Sequence, residues 1–368
     1  MVYRVIGLMS GSSLDGLDIA FAELHETAGK WSYKLIHATC DRYSDELMSR
    51  LRDAHQLNAL DYQLLHTYYG HYIGSRVNDF IETNILYHQL HLVVSHGHTA
   101  FHLPEKLMTA QLGDGAAIAA ETKLPVVTDL RALDVALGGQ GAPIVPLGEL
   151  LLFNEFDYFL NIGGIANISA RIKDKTDEYK MIAFDVCAAN RVLNMLVLEK
   201  NLLYDEDGKI ASSGSIHHEL LRTLNNLNYY NQPYPKSLAN TFGTDVVYPL
   251  IKSFSLNVED ALRTYVEHIV FQVKNAIINY NFSNVEAKLL VTGGGALNSF
   301  LIEKLRENLI TIGLTITVPE DDVVNYKEAL VMALLGTLRW REEYTVLNSV
   351  TGAGRNSIGG ALWLGTEA

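Results

Sequence analysis

The chain has only two cysteines, Cys40 and Cys187, in 368 residues. A secreted protein of that length usually carries a larger disulfide framework, so the reading expects reduced thiols in a cytoplasm. Long apolar runs are missing, and none is long enough to cross a bilayer. The short apolar start, Met1 to Met9, runs into Ser10-Gly-Ser-Ser with no basic stretch before it, so no signal peptide is expected. Positive charge is scarce. Against 29 Lys and Arg stand 42 Asp and Glu, a net charge of −13. That field repels nucleic-acid phosphates and excludes nucleic acid as a partner. It also means that a small anion could be held only locally, by backbone N–H groups, a bound cation or a placed arginine. There is no G-x-x-x-x-G-K-[ST] and no G-x-G-x-x-G that follows a strand and opens a helix, which removes the P-loop and dinucleotide readings. No repeat of 20–50 residues appears, so solenoids and propellers are out.

Apolar residues make up 48% of the chain and charged ones 19%. That balance belongs to a packed globular protein, and the length suits two domains. Short apolar runs bounded by Ser and Gly predict strands over Tyr3–Met9, Leu17–Leu24 and Trp31–Ala38, an antiparallel meander. Helical spacing is found at Leu47–Gly70, Ala116–Thr122, Val258–Tyr280, Asn298–Leu309 and Glu328–Arg339. Asn257 and Asp260 stand where the long helix would be capped. Further strands are expected at His91–Ser95, Leu124–Thr128, Tyr158–Ile162, Ala166–Ile172, Met181–Phe184 and Lys288–Thr292. Three glycines and two prolines between Leu137 and Pro146 break both kinds of element, and the crossover between lobes is placed there. The resulting division is an N-terminal lobe of 1–135 joined by 345–368, and a C-terminal lobe of 136–344. Each half opens with strand, glycine turn, strand.

Three turns are candidates for holding a polyphosphate: Ser10–Asp18, Asn161–Asn167 and Thr292–Asn298. Singly each is an ordinary turn. Together, two hairpin turns and a strand–Gly-Gly-Gly–helix turn could surround phosphates with N–H groups, since glycine allows close backbone approach. Ser12 and Ser13 add hydroxyls. Asp15 and Asp18 offer hard oxygen ligands for Mg²⁺, directly or through water, or are ordinary turn residues.

The run Gly7-Leu-Met-Ser-Gly-Ser-Ser-Leu-Asp-Gly-Leu-Asp18 resembles the opening motif of the anhydro-N-acetylmuramic acid kinases, with Ser12 where Thr is usual. Ser95-His-Gly-His-Thr-Ala-Phe-His102 is similar to that family's S-H-G-Q-T-x-x-H. Gly113-Asp114, the segment Asp129–Pro143, Asn161-Ile-Gly-Gly-Ile-Ala-Asn-Ile168, Thr292-Gly-Gly-Gly-Ala-Leu-Asn298 and Lys327-Glu-Ala also match, in order, across nearly the whole chain. The resemblance implies an α/β protein of the two-lobed actin/hexokinase-like (ribonuclease H-like) ATPase fold with a central cleft, acting as a homodimer. It implies that ATP and Mg²⁺ are used to open the 1,6-anhydro ring of anhydro-N-acetylmuramic acid with water and to phosphorylate O6.

Residue by residue, the resemblance makes Asp185 the general base, matching F-D-T-G-P-x-N. The bare sequence reading of Asp185 is a helix cap. Arg131 would hold the substrate's lactyl carboxylate with its planar fork, the other reading being a salt bridge to Asp134. His98, Thr99 and Glu328 would contact the sugar. ATP would meet Gly11, Ser12, Ser13, Leu14, Asp15, Gly16, Leu17 and Asp18 on one side and Gly163 and Gly164 on the other, with its nucleoside end toward Gly293, Gly294 and Gly295.

The chain departs from the family pattern at His98, where Gln is usual, in Val186-Cys187-Ala188 in place of T-G-P, and after Lys236-Ser237. Two rival readings remain: a metal-dependent hydrolase using His96, His98 and His102, and a non-catalytic ATP-binding protein of the same fold.

Overall fold

The computed structural model describes residues 1–11, 14–173, 179–234, 236–239, 241–279 and 287–365. Ser12 and Ser13 lie outside the described residues, as do Pro235 and Tyr280. The chain forms two compact units, one of Met1–Asn154 with Tyr326–Ala368, the other of Glu155–Asn325. The sequence reading placed the first crossing at 135/136 and the second at 344/345. The glycine- and proline-rich stretch before Pro146 lies inside the first unit. It is a loop gathered around one buried carboxylate, not the crossover: Asp134 accepts from the Gly141 N–H and the Thr351 hydroxyl.

The strands in chain order are β1 (Val2–Met9), β2 (Gly16–Thr27), β3 (Lys30–Arg42), β4 (Leu92–Ser95), β5 (His98–Leu103), β6 (Met108–Leu112), β7 (Val126–Thr128), β8 (Tyr158–Ile162), β9 (Ile165–Lys173), β10 (Tyr179–Ala188), β11 (Ala287–Thr292), β12 (Leu314–Thr317) and β13 (Ala361–Trp363). In the first unit the sheet runs β3-β2-β1-β4-β7-β13. The meander β1-β2-β3 is antiparallel, β4 and β7 add parallel to it, and β13 closes the edge antiparallel. The second unit repeats the scheme as β10-β9-β8-β11-β12, with β8-β9-β10 antiparallel and β11 and β12 parallel. This is the duplicated α/β architecture expected from the two strand–turn–strand openings.

Helices cover these sheets because their apolar residues recur at helical spacing. In Val258–Ile278 the stripe Leu262, Val266, Ile269, Val273 and Ile277 is buried, each side chain contributing about 1.5–3 kcal/mol of burial free energy. Asn257 caps this helix by accepting from the Asp260 N–H at 2.7 Å, as expected. The segment expected as one helix over Leu47–Gly70 is two, Asp45–Arg52 and Ala59–Thr83. Ser44 and Asn58 cap them separately, because each side-chain oxygen offers its following turn an acceptor. The helix Asp321–Trp340 lies against β1 so closely that a Cβ on Gly7 would stand 1.9 Å from the Ala329 carbonyl oxygen. Only glycine fits at that position.

Candidate active site

In the first unit β4 and β5 end on either side of Gly97, whose φ of +73° turns the chain so that His96 and His98 are both buried. His96 Nδ1 donates to the Gly97 carbonyl, and its Nε2 accepts from Arg131 Nε at 2.7 Å. Burial and the Arg131 charge push the His96 pKa down to about 3, so the ring is neutral and acts as an acceptor. Arg131 also donates from Nη1 to the Gly141 carbonyl. Burial lowers its pKa to about 10, against the pull of Glu328 and Asp134, and it stays charged near neutral pH. Asp134 is committed to the glycine loop and forms no ion pair with Arg131, so the salt-bridge reading of Arg131 fails. Two edges of the guanidinium are thereby anchored, and the remaining N–H groups are available for an anion.

His98 shares a hydrogen bond of 3.3 Å with the Ser10 hydroxyl. Ser10 in turn accepts from Tyr43, which is 2.6 Å from the Tyr69 hydroxyl. Burial lowers the His98 pKa to about 4, so this ring too is neutral. Thr99 is exposed, its hydroxyl accepting a long contact of 3.4 Å from Gln111. Among the described residues no three His, Cys, Asp or Glu side chains gather as a metal site. His96, His98 and His102 are each engaged by non-metal partners, His102 by Thr109. The hydrolase reading therefore has no ligand cluster to rest on.

The turn between β1 and β2 carries Leu14 at φ +58°, an uncommon conformation for a bulky residue. Asp15 and Asp18 follow. Asp18 stands opposite Cys40 across β2 and β3, and the thiol hydrogen-bonds to its carboxyl. Burial, with the negative charges of Asp15 and Glu328, raises the Asp18 pKa to about 6. Hard carboxylate oxygens under mutual repulsion suit a divalent cation, and Mg²⁺ commonly takes only one or two carboxylates plus phosphate oxygens. The donor set therefore fits Mg²⁺. Glu328 has its pKa raised by burial, opposed by Lys327 and Arg131. Beside it, Lys327 and Glu149 form a buried ion pair at 2.7 Å.

In the second unit Asp185 lies inside β10, not at the end of a strand. The expected strand Met181–Phe184 continues to Ala188, with a bulge between Asp185 and Cys187. The helix that follows, Asn190–Val197, has Ala189 at its cap position and no side-chain cap, so the capping reading of Asp185 fails. Three groups hold Asp185 instead. Its N–H donates to the Lys236 carbonyl, its carbonyl accepts from Tyr229 at 2.7 Å, and Oδ2 accepts from the Leu238 N–H at 2.8 Å. Burial raises its pKa, and the Leu238 bond opposes the rise. Val186, Cys187 and Ala188, where this chain departs from the family pattern, are all buried in the core.

Register places Asp185, Asn167, Asn161 and Thr292 side by side across four strands. The Thr292 hydroxyl is buried without a partner among the described residues. The turns at the end of this row converge on Asn190. Its N–H donates to the Gly163 carbonyl, its Nδ2 donates to the Ile162 carbonyl, and a Cβ built on Gly295 would lie 3.1 Å from its Oδ1. Gly163 and Gly164 thus offer carbonyls to the helix start, and the Gly163 N–H is spent on the Ile165 carbonyl. Gly293 has φ +79° and donates to the Val324 carbonyl. The second unit therefore brings Gly163, Gly164 and Gly293–Gly295 together. Sequence reasoning links neither Ser10 nor Tyr43 to His98, and neither Tyr229 nor Leu238 to Asp185, because these connections span tens of residues and leave no local pattern.

Among solved structures, the activator of the 2-hydroxyisocaproyl-CoA dehydratase from Clostridium difficile is similar at 14% identity and TM-score 0.45, over 92% of this chain and 96% of that chain. Curated relatives include the anhydro-N-acetylmuramic acid kinase of Sulfurovum sp. (strain NBC37-1), 32% identical over 98% of this chain and 99% of its own. That of Aliivibrio fischeri (strain ATCC 700601 / ES114) is 34% identical over the same shares. The family model for anhydro-N-acetylmuramic acid kinase matches residues 3–365. On that match and on those relatives, the chain belongs to the anhydro-N-acetylmuramic acid kinase family.

Proposed function

We propose that the chain is an anhydro-N-acetylmuramic acid kinase that opens the 1,6-anhydro ring with water and phosphorylates O6, giving N-acetylmuramic acid 6-phosphate and ADP. The observation that carries the reading is the state of Asp185. Its Oδ2 is tied to the Leu238 N–H, and Oδ1 has no partner among the described residues. That leaves one carboxylate oxygen, at a fixed angle, to take a proton from water. The water oxygen bonds to C1, the C1–O6 bond breaks, and O6 takes the γ-phosphoryl group while the bond to ADP breaks.

Arg131 binds the lactyl carboxylate through the N–H groups not used on His96 and Gly141. His98, Thr99 and Glu328 hold the sugar, with neutral His98 able to donate or accept. ATP supplies the phosphoryl group, and Mg²⁺, when bound, would offset its charge. Gly11–Asp18, Gly163, Gly164 and Gly293–Gly295 receive the nucleotide, and Asp15 and Asp18 would hold the cation. Reliance on ATP puts the protein in the cytoplasm, where cell-wall fragments are recycled. Among the described residues no helix is long and apolar enough to cross a membrane.

The test is ADP release with ATP and Mg²⁺, with and without anhydro-N-acetylmuramic acid, on wild type and Asp185→Asn. Sugar-stimulated release that falls roughly 10²- to 10⁴-fold in the variant supports the reading. ATP binding with no response to the sugar would leave a non-catalytic binder.

A further inference from the structure

Behind the base strand, on the face of β10 opposite Asp185, lies a cavity of about 110 Å³ that the proposed reaction does not use. Its floor is Phe184 and Val186, the residues on either side of Asp185. Carboxamides line the rest, among them Asn225, Gln272, Asn275 and Asn279, with the Tyr230 hydroxyl and the Lys236 ammonium. One water needs roughly 10–15 Å³ on this measure, so the space suits a molecule of several heavy atoms.

The walls are pre-oriented. His268 is fully buried, and burial pushes its pKa down to about 3, so it is neutral. It is 2.7 Å from Asn225 Oδ1 through Nδ1 and 2.9 Å from the Tyr230 hydroxyl through Nε2. Gln272 Nε2 donates to the same Asn225 oxygen at 3.0 Å. An oxygen that accepts from Gln272 and His268 fixes the flip of Asn225, leaving its Nδ2–H₂ as a donor. Gln272 Oε1 is left as an acceptor. Neither atom has a protein partner among the described residues.

Among the described residues of the lining, Lys236 is the one that carries a charge. No carboxylate lies within ion-pair distance of it among the described residues. Its one hydrogen bond, to the Tyr229 carbonyl, is 3.5 Å long, and its ammonium otherwise stands over the rings of Tyr229 and Phe184 at 4.7 and 5.8 Å. Loss of hydration lowers its pKa, as for an ammonium lacking its counter-ion. In a protein of net charge −13, a half-buried lysine without an acid partner leaves room for an anion from outside.

We propose that this cavity binds a small monocarboxylate bearing a hydroxyl or amino group, with its carboxylate on Lys236 and Asn225 Nδ2 and its own donor on Gln272 Oε1. One cation matches one negative charge, whereas a phosphate dianion would be left half-neutralised. The free acceptor asks for a ligand donor, which a plain fatty acid lacks. The site touches the segment that holds Asp185, because the carbonyl of Lys236 accepts the Asp185 N–H.

Lactate is the probe, and thermal denaturation of the full chain is the readout, so turnover does not enter. At matched ionic strength, lactate should raise the melting midpoint with a saturable dose dependence, and lactamide, its neutral counterpart, should not. The lactate shift should vanish in Lys236→Gln and shrink in Asn275→Leu, each judged against its own ligand-free midpoint. It should persist in Arg131→Met, which removes the proposed sugar-carboxylate site. An equal shift from lactamide, a shift that survives Lys236→Gln, one lost in Arg131→Met, or no shift in wild type would overturn the proposal.

Discussion

Arg131 Nε donates to His96 Nε2 at 2.7 Å, so a buried neutral imidazole sets the direction of a buried cation. With Nη1 on the Gly141 carbonyl as well, the guanidinium is a rigid fork whose orientation is decided before any anion arrives. Lysine cannot reproduce two anchored edges and a free one. Arg131→Lys should therefore raise KM for the anhydro sugar and lower kcat/KM by roughly 10- to 100-fold, the worth of a charge-assisted hydrogen bond. Steady-state kinetics on sugar and ATP separately will check this, and an equal loss for ATP would contradict the assignment.

Tyr229 acts on Asp185 through the backbone, its hydroxyl donating to the Asp185 carbonyl at 2.7 Å. Tyr229→Phe removes that bond and keeps the ring. The loss of about 1 kcal/mol of positioning should lower kcat roughly 5-fold with KM unchanged. If the melting midpoint drops and kcat does not, Tyr229 is only structural.

The Lys327–Glu149 pair is 3% exposed on both sides, and Glu149 Oε2 has no partner among the described residues. Removing one charge strands the other in the core. Glu149→Ala should destabilise the first unit by about 3–5 kcal/mol, while the double change Glu149→Leu with Lys327→Met should recover much of that. Urea denaturation of the two variants separates the cases. Equal loss in both would mean that packing, not charge, is at stake.

His98 gives a pH signature. Its folded pKa is depressed from 6.5 to about 4 by burial, so the native state favours the neutral ring. The associated stability is fully present above pH 6.5 and is lost as pH falls toward 4. Over that window the contribution falls by about 1 kcal/mol for each pH unit. His96 and His268, both at about 3, add to the same acid loss. His98→Gln should therefore have a shallower fall in melting midpoint between pH 6.5 and 4 than wild type. Parallel curves would show that His98 does not titrate in this range.

Much of the architecture was legible in the chain. The Tyr3–Met9 and Tyr158–Ile162 strands, the capped stripe that begins at Asn257 and the glycine turns all follow from spacing of two or three and a half residues and from cap chemistry, which act over one or two turns of chain. The family motifs likewise lie in continuous stretches. Two differences share one cause. Asp185 reads as a strand end because what keeps it inside β10 is pairing with β9 across a bulge, and the Leu137–Pro146 loop reads as the crossover between lobes because Asp134, which organises it, is buried only after folding. Partners such as Leu238 for Asp185 and Ser10 for His98 leave no trace at short range. Local sequence determined which elements form and which residue types could do chemistry. Tertiary structure alone decided which oxygen of Asp185 is free and that Lys236 has no acid beside it among the described residues, and which tautomer His96 adopts, because hydrogen-bond partners and burial are set by contacts between segments far apart in the chain.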